Sequence, residues 1–127
     1  MARKLFALGI IVTVAFVLYA QDNKAVKITG YMIDNACASG HVKDAGFAER
    51  VKKHKTSCAL MDACETSGFA VLSEGKLYKL DEAGNKIAAD LLKATETKSG
   101  VQVAVEGTVE GETLHATKIT EVKATAE

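Results

Sequence analysis

The sequence predicts a mainly β domain: a five-stranded Greek-key barrel with a helical insert after its first strand and a helix between its third and fourth. Three observations predict it. Val26–Asp34 and Val101–Val109 alternate apolar residues with others. Glu74-Gly75 separates Phe69–Ser73 from Lys76–Leu80 by two residues, which is a strong hairpin signal. Residues 35–68 drop the strand pattern and carry all but one of the cysteines and histidines.

The first strand is Val26–Asp34, with Val26, Ile28 and Met32 on one side and Gly30 marking a bend or bulge. In the insert, Phe47, Val51, His54, Cys58 and Met61 recur at intervals of four, three, four and three. One continuous helix would present all five as a stripe. Thr56 or Ser57 offers the alternative of a cap that splits the segment in two. Phe69–Ser73 and Lys76–Leu80 form the hairpin. Asp81–Thr95 turns helical, with Ile87, Leu91 and Ala94 on one face and Gly84 just before the pattern. Val101–Val109 alternates strictly at Val101, Val103 and Val105, and Glu110-Gly111 turns the chain into Glu112–Val122. In that last strand Leu114 and Ala116 fall on one face and Ile119 on the other, which implies a bulge between them or a face shift. Strand, insert, strand, strand, helix, strand, strand is the order of an OB-fold, in which closure removes the open edges of a small sheet.

Residues 1–20 open with Arg3 and Lys4 and run apolar from Leu5 to Ala20 before Gln21-Asp22-Asn23-Lys24. That is the layout of a secretory signal, too short for the roughly 20 apolar residues of a membrane span. The expected division is a signal at 1–20, a linker at 21–25, one domain at 26–122 and a frayed tail at 123–127. Leu18 fits poorly at the −3 position of a cleavage site after Ala20, so an uncleaved N-terminal anchor in the inner membrane is the alternative, and the one route to a membrane. Without Arg3 and Lys4 the chain keeps 14 Lys+Arg against 16 Asp+Glu. A near-neutral exported domain lacks the basic face of a nucleic-acid binder. Its barrel aromatics, Tyr31, Phe69 and Tyr78, are few for stacking on bases. The basic run Lys43–Lys55 reads as a solvated helix face, with an anionic partner as the rival.

Gly68–Leu80, with its Lys-Leu-Tyr-Lys-Leu strand, and the Val-Glu-Gly-Thr-Val-Glu-Gly-Glu-Thr-Leu-His-Ala-Thr-Lys-Ile ending within Val101–Val122 resemble the small exported bacterial OB-fold proteins. Asp34-x-x-Cys37, His54-x-x-x-Cys58 and Cys64-x-x-x-Gly68 look closer to a subgroup with a Cys/His insertion after the first strand. The resemblance covers about residues 26–122. It implies a fold and a periplasmic or extracellular compartment, and no activity.

Export makes a disulfide the default for cysteines, but three is an odd number. On one helix Cys58 and Cys64 would stand about 9 Å apart along the axis at roughly 1.5 Å per residue. A disulfide needs Cα atoms within about 7 Å, so Cys37 with either partner is the better pair. His54, Cys58 and Met61, at i, i+4 and i+7, then suit a soft metal, with His41 or Cys37 arriving from the preceding loop. Copper ranks ahead of zinc. A zinc site of Cys37, Cys58, Cys64 and one histidine needs the helix to break, and no Cys-x-x-Cys is present.

The structural alternatives are plain. Met61 and Phe47 belong to a core stripe, His54 is a half-buried histidine with a backbone partner, His115 lies on the surface, and Asp34 and Asp62 cap or turn. No thioredoxin-type dithiol is present, and nothing orients His54 and Cys58 as a nucleophile pair. The expected function is therefore non-enzymatic binding in the cell envelope, of a soft metal in its sharpest form. Its rivals are a disulfide-stabilised structural or interaction module with an envelope-protein partner, and a redox-sensing thiol.

Overall fold

The computed structural model describes residues 25–123; the expected signal at 1–20, nearly all of the linker and the tail beyond Lys123 lie outside them. Ten elements follow in order. β1 (Ala25–Asp34) leads into four short helices, α1 (Asn35–Ala38), α2 (Phe47–Lys52), α3 (Thr56–Ala59) and α4 (Asp62–Thr66). After them come β2 (Phe69–Ser73), β3 (Lys76–Leu80), α5 (Glu82–Ala94), β4 (Gln102–Glu110) and β5 (Thr113–Glu121). No helix among the described residues is long and apolar enough to cross a membrane.

The five strands hydrogen-bond in a closed ring, β1-β2-β3-β5-β4, with β4 returning to β1. All neighbours are antiparallel except β3 and β5, which run parallel over Lys79–Thr113 and Leu80–Leu114. β1 serves two partners. Ala25–Tyr31 lies beside β4 and Tyr31–Asp34 beside β2. The handover explains Gly30: its register is unbroken, so no bulge forms, but a Cβ there would stand 2.2 Å from the Leu72 carbonyl oxygen. The bulge expected between Ala116 and Ile119 does form in β5. Gly107 pairs with Ala116 while Glu106 pairs with Lys118, so Thr117 is the extra residue, and Leu114, Ala116 and Ile119 are all buried.

The ring encloses the main core of Met32, Phe69, Val71, Leu80, Val101, Val103, Val105, Leu114 and their neighbours. α5 closes one end. Asp81 caps it, its Oδ1 accepting from Gly84 N at 2.9 Å. Its buried face is Gly84, Ala88 and Leu92, with Ile87 and Leu91 at the margin and Ala94 exposed, a rotation from the expected Ile87–Leu91–Ala94 stripe. Gly84 lies in the first turn of the helix, and its missing Cβ lets the backbone approach Ala116 and Leu80. A second core of Ile33, Ala38, Phe47, Val51, Ala70 and Leu72 lies on the outer side of β1 and β2, beneath α1 and α2.

The continuous insert helix does not form. Its backbone at residues 54–56 bonds instead to the segment approaching β4: Gly100 N donates to His54 O at 3.0 Å and Thr56 N to Lys98 O at 2.9 Å, and Lys55 bridges Ser99. The Thr56 hydroxyl adds a bond to Thr97 O at 2.7 Å. These contacts spend the groups that a helix would have used internally. Lys55, not Thr56 or Ser57, is the N-cap residue of α3, and it makes no side-chain cap.

Candidate metal centre

The centre is built at the point where β1 ends. Asp34 is fully buried, and both of its carboxylate oxygens are used. Oδ2 accepts from Cys37 N at 2.9 Å, capping α1, and Oδ1 lies 2.8 Å from His54 Nε2. With the carboxylate ionised, Nε2 carries the proton of that contact. The cap fixes Cys37 one turn beyond Asp34.

A second set of bonds brings α4 to α1. Asn35 N donates to Gly68 O at 2.9 Å, Asn35 Nδ2 to Ser67 O at 2.9 Å and Ala36 N to Ser67 Oγ at 3.0 Å. The Ser67 hydroxyl donates to Cys64 O at 2.6 Å. Stitched in this way, Cys64 faces Cys37, and ligand atoms of Asp34, Cys37 and Cys64 all lie within 4.8 Å of one another.

Both thiols are held in the protonated form. Although Cys37 is exposed as a residue, loss of solvation raises its pKa from 9.0 to about 12, with further upward contributions from Asp34 and then Cys64. Cys64 shifts the same way, again first from loss of solvation and then from the Asp34 charge; Cys58 adds a smaller push in the same direction. This is the reverse of a reactive cysteine, whose cationic surroundings lower its pKa. Ionising either thiol would set a thiolate against the buried Asp34 carboxylate, and a bound cation would offset that repulsion.

The expected ligands separate. Cys37 joins the cluster, and Cys64 does so too, although it was expected to lie too far along a continuous helix to share an ion with His54. The break between α3 and α4 moves it and removes the geometric objection to a zinc-type set. His54 reaches the cluster through Asp34, a carboxylate rather than the expected backbone partner, and its side chain is only 15% exposed. Cys58 is half-buried and shares a surface hollow with His54, Arg50 and Lys53. Met61 is 61% exposed and belongs to no core. His41 turns to Asp44, its Nδ1 2.7 Å from Oδ2. His115 is on the surface beside Asp81 and Glu110.

Asp34 was legible as a cap and not as a ligand. The available signal was the Asp-x-x-Cys spacing, which puts a capping carboxylate within reach of the cysteine three residues on. Comparison with protein-family models, curated proteins and solved structures finds no match.

Proposed function

We propose that this chain is an exported OB-fold domain whose insert binds one thiophilic metal ion through Asp34, Cys37 and Cys64, with His54 holding the carboxylate in place. The observation that carries the reading is the convergence of those three donors within 4.8 Å from segments about thirty residues apart in sequence. The ring order β1-β2-β3-β5-β4 with α5 between β3 and β4 supports the OB-fold assignment. The signal-like residues 1–20 support export.

The donor set favours zinc over copper. An oxygen and two sulfurs suit a borderline ion, whereas the case for Cu(I) rested on the Met61 thioether, which points to solvent. His54 on Asp34 then acts as the outer hydrogen-bond partner that orients a ligating carboxylate. The ion would pull protons from both thiols, making affinity rise with pH.

Cobalt substitution of the reduced protein tests the proposal. A thiolate-to-cobalt charge-transfer band should appear, weaken strongly in Cys37→Ser and Cys64→Ser, and survive in Met61→Ala and His41→Ala. No band, or a band lost with Met61, overturns it.

A second reading has its own support. The same proximity of Cys37 and Cys64 would let an oxidising compartment join them, pinning α1 to α4 as a structural staple with Cys58 left over. Denaturing alkylation of the protein as isolated separates the two: three reactive thiols with a metal adduct in the native mass, or one reactive thiol and none.

A further inference from the structure

The second core is open on one side. Beyond Ala38 and Leu77 it gives onto a cavity of about 610 Å³ between the α1–α2 loop and β3, within the size range of ligand sites. Its apolar wall includes Ala38, Leu77 and Val42, and Val42 is 40% exposed, one of three large hydrophobic residues left at the surface among the described residues. Its rim carries Lys43, Lys76 and Lys79 against Glu112 alone.

The backbone beside this cavity is also unfinished. β3 pairs with β2 from Lys76 to Lys79, but its ladder with β5 starts only at Lys79, whose N–H donates to Glu112 O at 2.8 Å. Along a strand, backbone groups alternate between the two edges. Leu77, two residues before Lys79, therefore presents its N–H and C=O on the same edge, where no neighbouring strand is paired among the described residues. A free edge, an apolar hole and a lysine rim coincide over four residues.

We propose that this edge of β3 takes an extended, acidic segment of a partner protein as an added strand, with one apolar side chain of that segment seated in the cavity. Leu77 supplies main-chain hydrogen bonds, the cavity selects an aliphatic or aromatic anchor, and Lys43, Lys76 and Lys79 select carboxylates on either side of it. This is strand addition, in which backbone bonds give affinity and alternate side chains give specificity. The open edge would otherwise be a liability for the fold, and flanking lysines are a usual guard against unselective pairing. The strand edge and the lysine rim lie outside the Asp34, Cys37 and Cys64 set.

The test uses protein purified from a host expressing the full chain, with a fluorescein-labelled octapeptide of four glutamates, two serines and two central leucines as probe. Anisotropy should show saturable binding. Replacing the glutamates with lysines should abolish it, and N-methylating alternate peptide bonds should weaken it roughly tenfold or more in one of the two registers, since half of the amides face the strand. Lys76→Glu with Lys79→Glu should raise Kd about tenfold. Val42→Glu, an exposed position that leaves the core intact, should block the cavity. ¹⁵N shifts at Leu77 should mark the site. Equal binding of the lysine peptide, indifference to N-methylation in both registers, shifts confined to another face, or absence of binding overturns the proposal. So does a dimer that Val42→Glu dissociates, which would make the occupant a second copy of this chain.

Discussion

Asp34 carries three duties at one residue: it ends β1, caps α1 and accepts from His54. A carboxylate buried this completely persists because each of its oxygens has a hydrogen-bond partner, Cys37 N and His54 Nε2. From the sequence only the cap was legible, because the histidine that completes the arrangement lies 20 residues further on and reaches it only after the insert folds back. The charge has a consequence for its neighbour. Asp34→Asn keeps one acceptor oxygen for the Cys37 N–H, turns an NH2 toward His54, and removes the negative charge that helps hold Cys37 near 12. In metal-free, reduced protein the alkylation rate of Cys37, which follows thiolate, should therefore rise at lower pH in Asp34→Asn than in the parent chain. Peptide-resolved iodoacetamide labelling across pH reads this directly, and an unchanged Cys37 profile would mean that the carboxylate does not act on it. The sign for stability follows from the same shift. The folded thiol binds its proton more tightly than the unfolded one at 9.0, so its contribution is full below pH 9 and declines as pH rises toward 12.

At the scale of elements, local signals succeeded where the structure is local. Glu74 and Gly75 both take positive φ, 50° and 78°, the geometry of a two-residue type I′ hairpin turn, and β2 and β3 have the limits read from the sequence. The insert failed for the opposite reason. Its apolar spacing suits one long helix, but hydrogen bonds from residues 97–100, more than forty positions away, claim the backbone between α2 and α3. Gly100 makes that docking possible, since its φ is +64° and a Cβ would stand 2.2 Å from Lys52 O. Gly100→Ala should cost about 3 kcal/mol from the combined left-handed backbone and steric clash. Chemical denaturation measures the loss, and amide exchange should show Thr56 and Gly100 losing protection first. A variant as stable as the parent would show that the insert is held by its side chains alone.

At the scale of the molecule, the described residues form two apolar cores sharing one wall, because β1 and β2 turn Met32, Phe69 and Val71 inward and Ile33, Ala70 and Leu72 outward. Alternation in β1 made Met32 legible as an inward residue, while the apolar run Phe69–Leu72 does not alternate and left the faces of β2 unread. The outer set was not legible, since an insert with its own core gives a β-strand two buried faces and erases the polar half of the pattern. This architecture separates fold stability from site geometry. Phe47 anchors the second core and Leu92 the first, both nearly inaccessible, and either one cut to alanine should cost about 3 kcal/mol. The consequences should differ. Phe47→Ala loosens the platform beneath α1 and α2 that sets Cys37 and His54, so metal affinity should fall together with stability. Leu92→Ala weakens α5 against the ring while leaving the cysteine cluster in place, so metal affinity should hold in the folded fraction. Because a ligand that binds only the folded state adds RT ln(1 + [L]/Kd) to stability, the thermal midpoint shift on adding zinc should be near normal in Leu92→Ala and reduced in Phe47→Ala. Equal shifts in both variants would mean that the cluster is held by the Asp34 cap and the Ser67 bonds without help from the core beneath it.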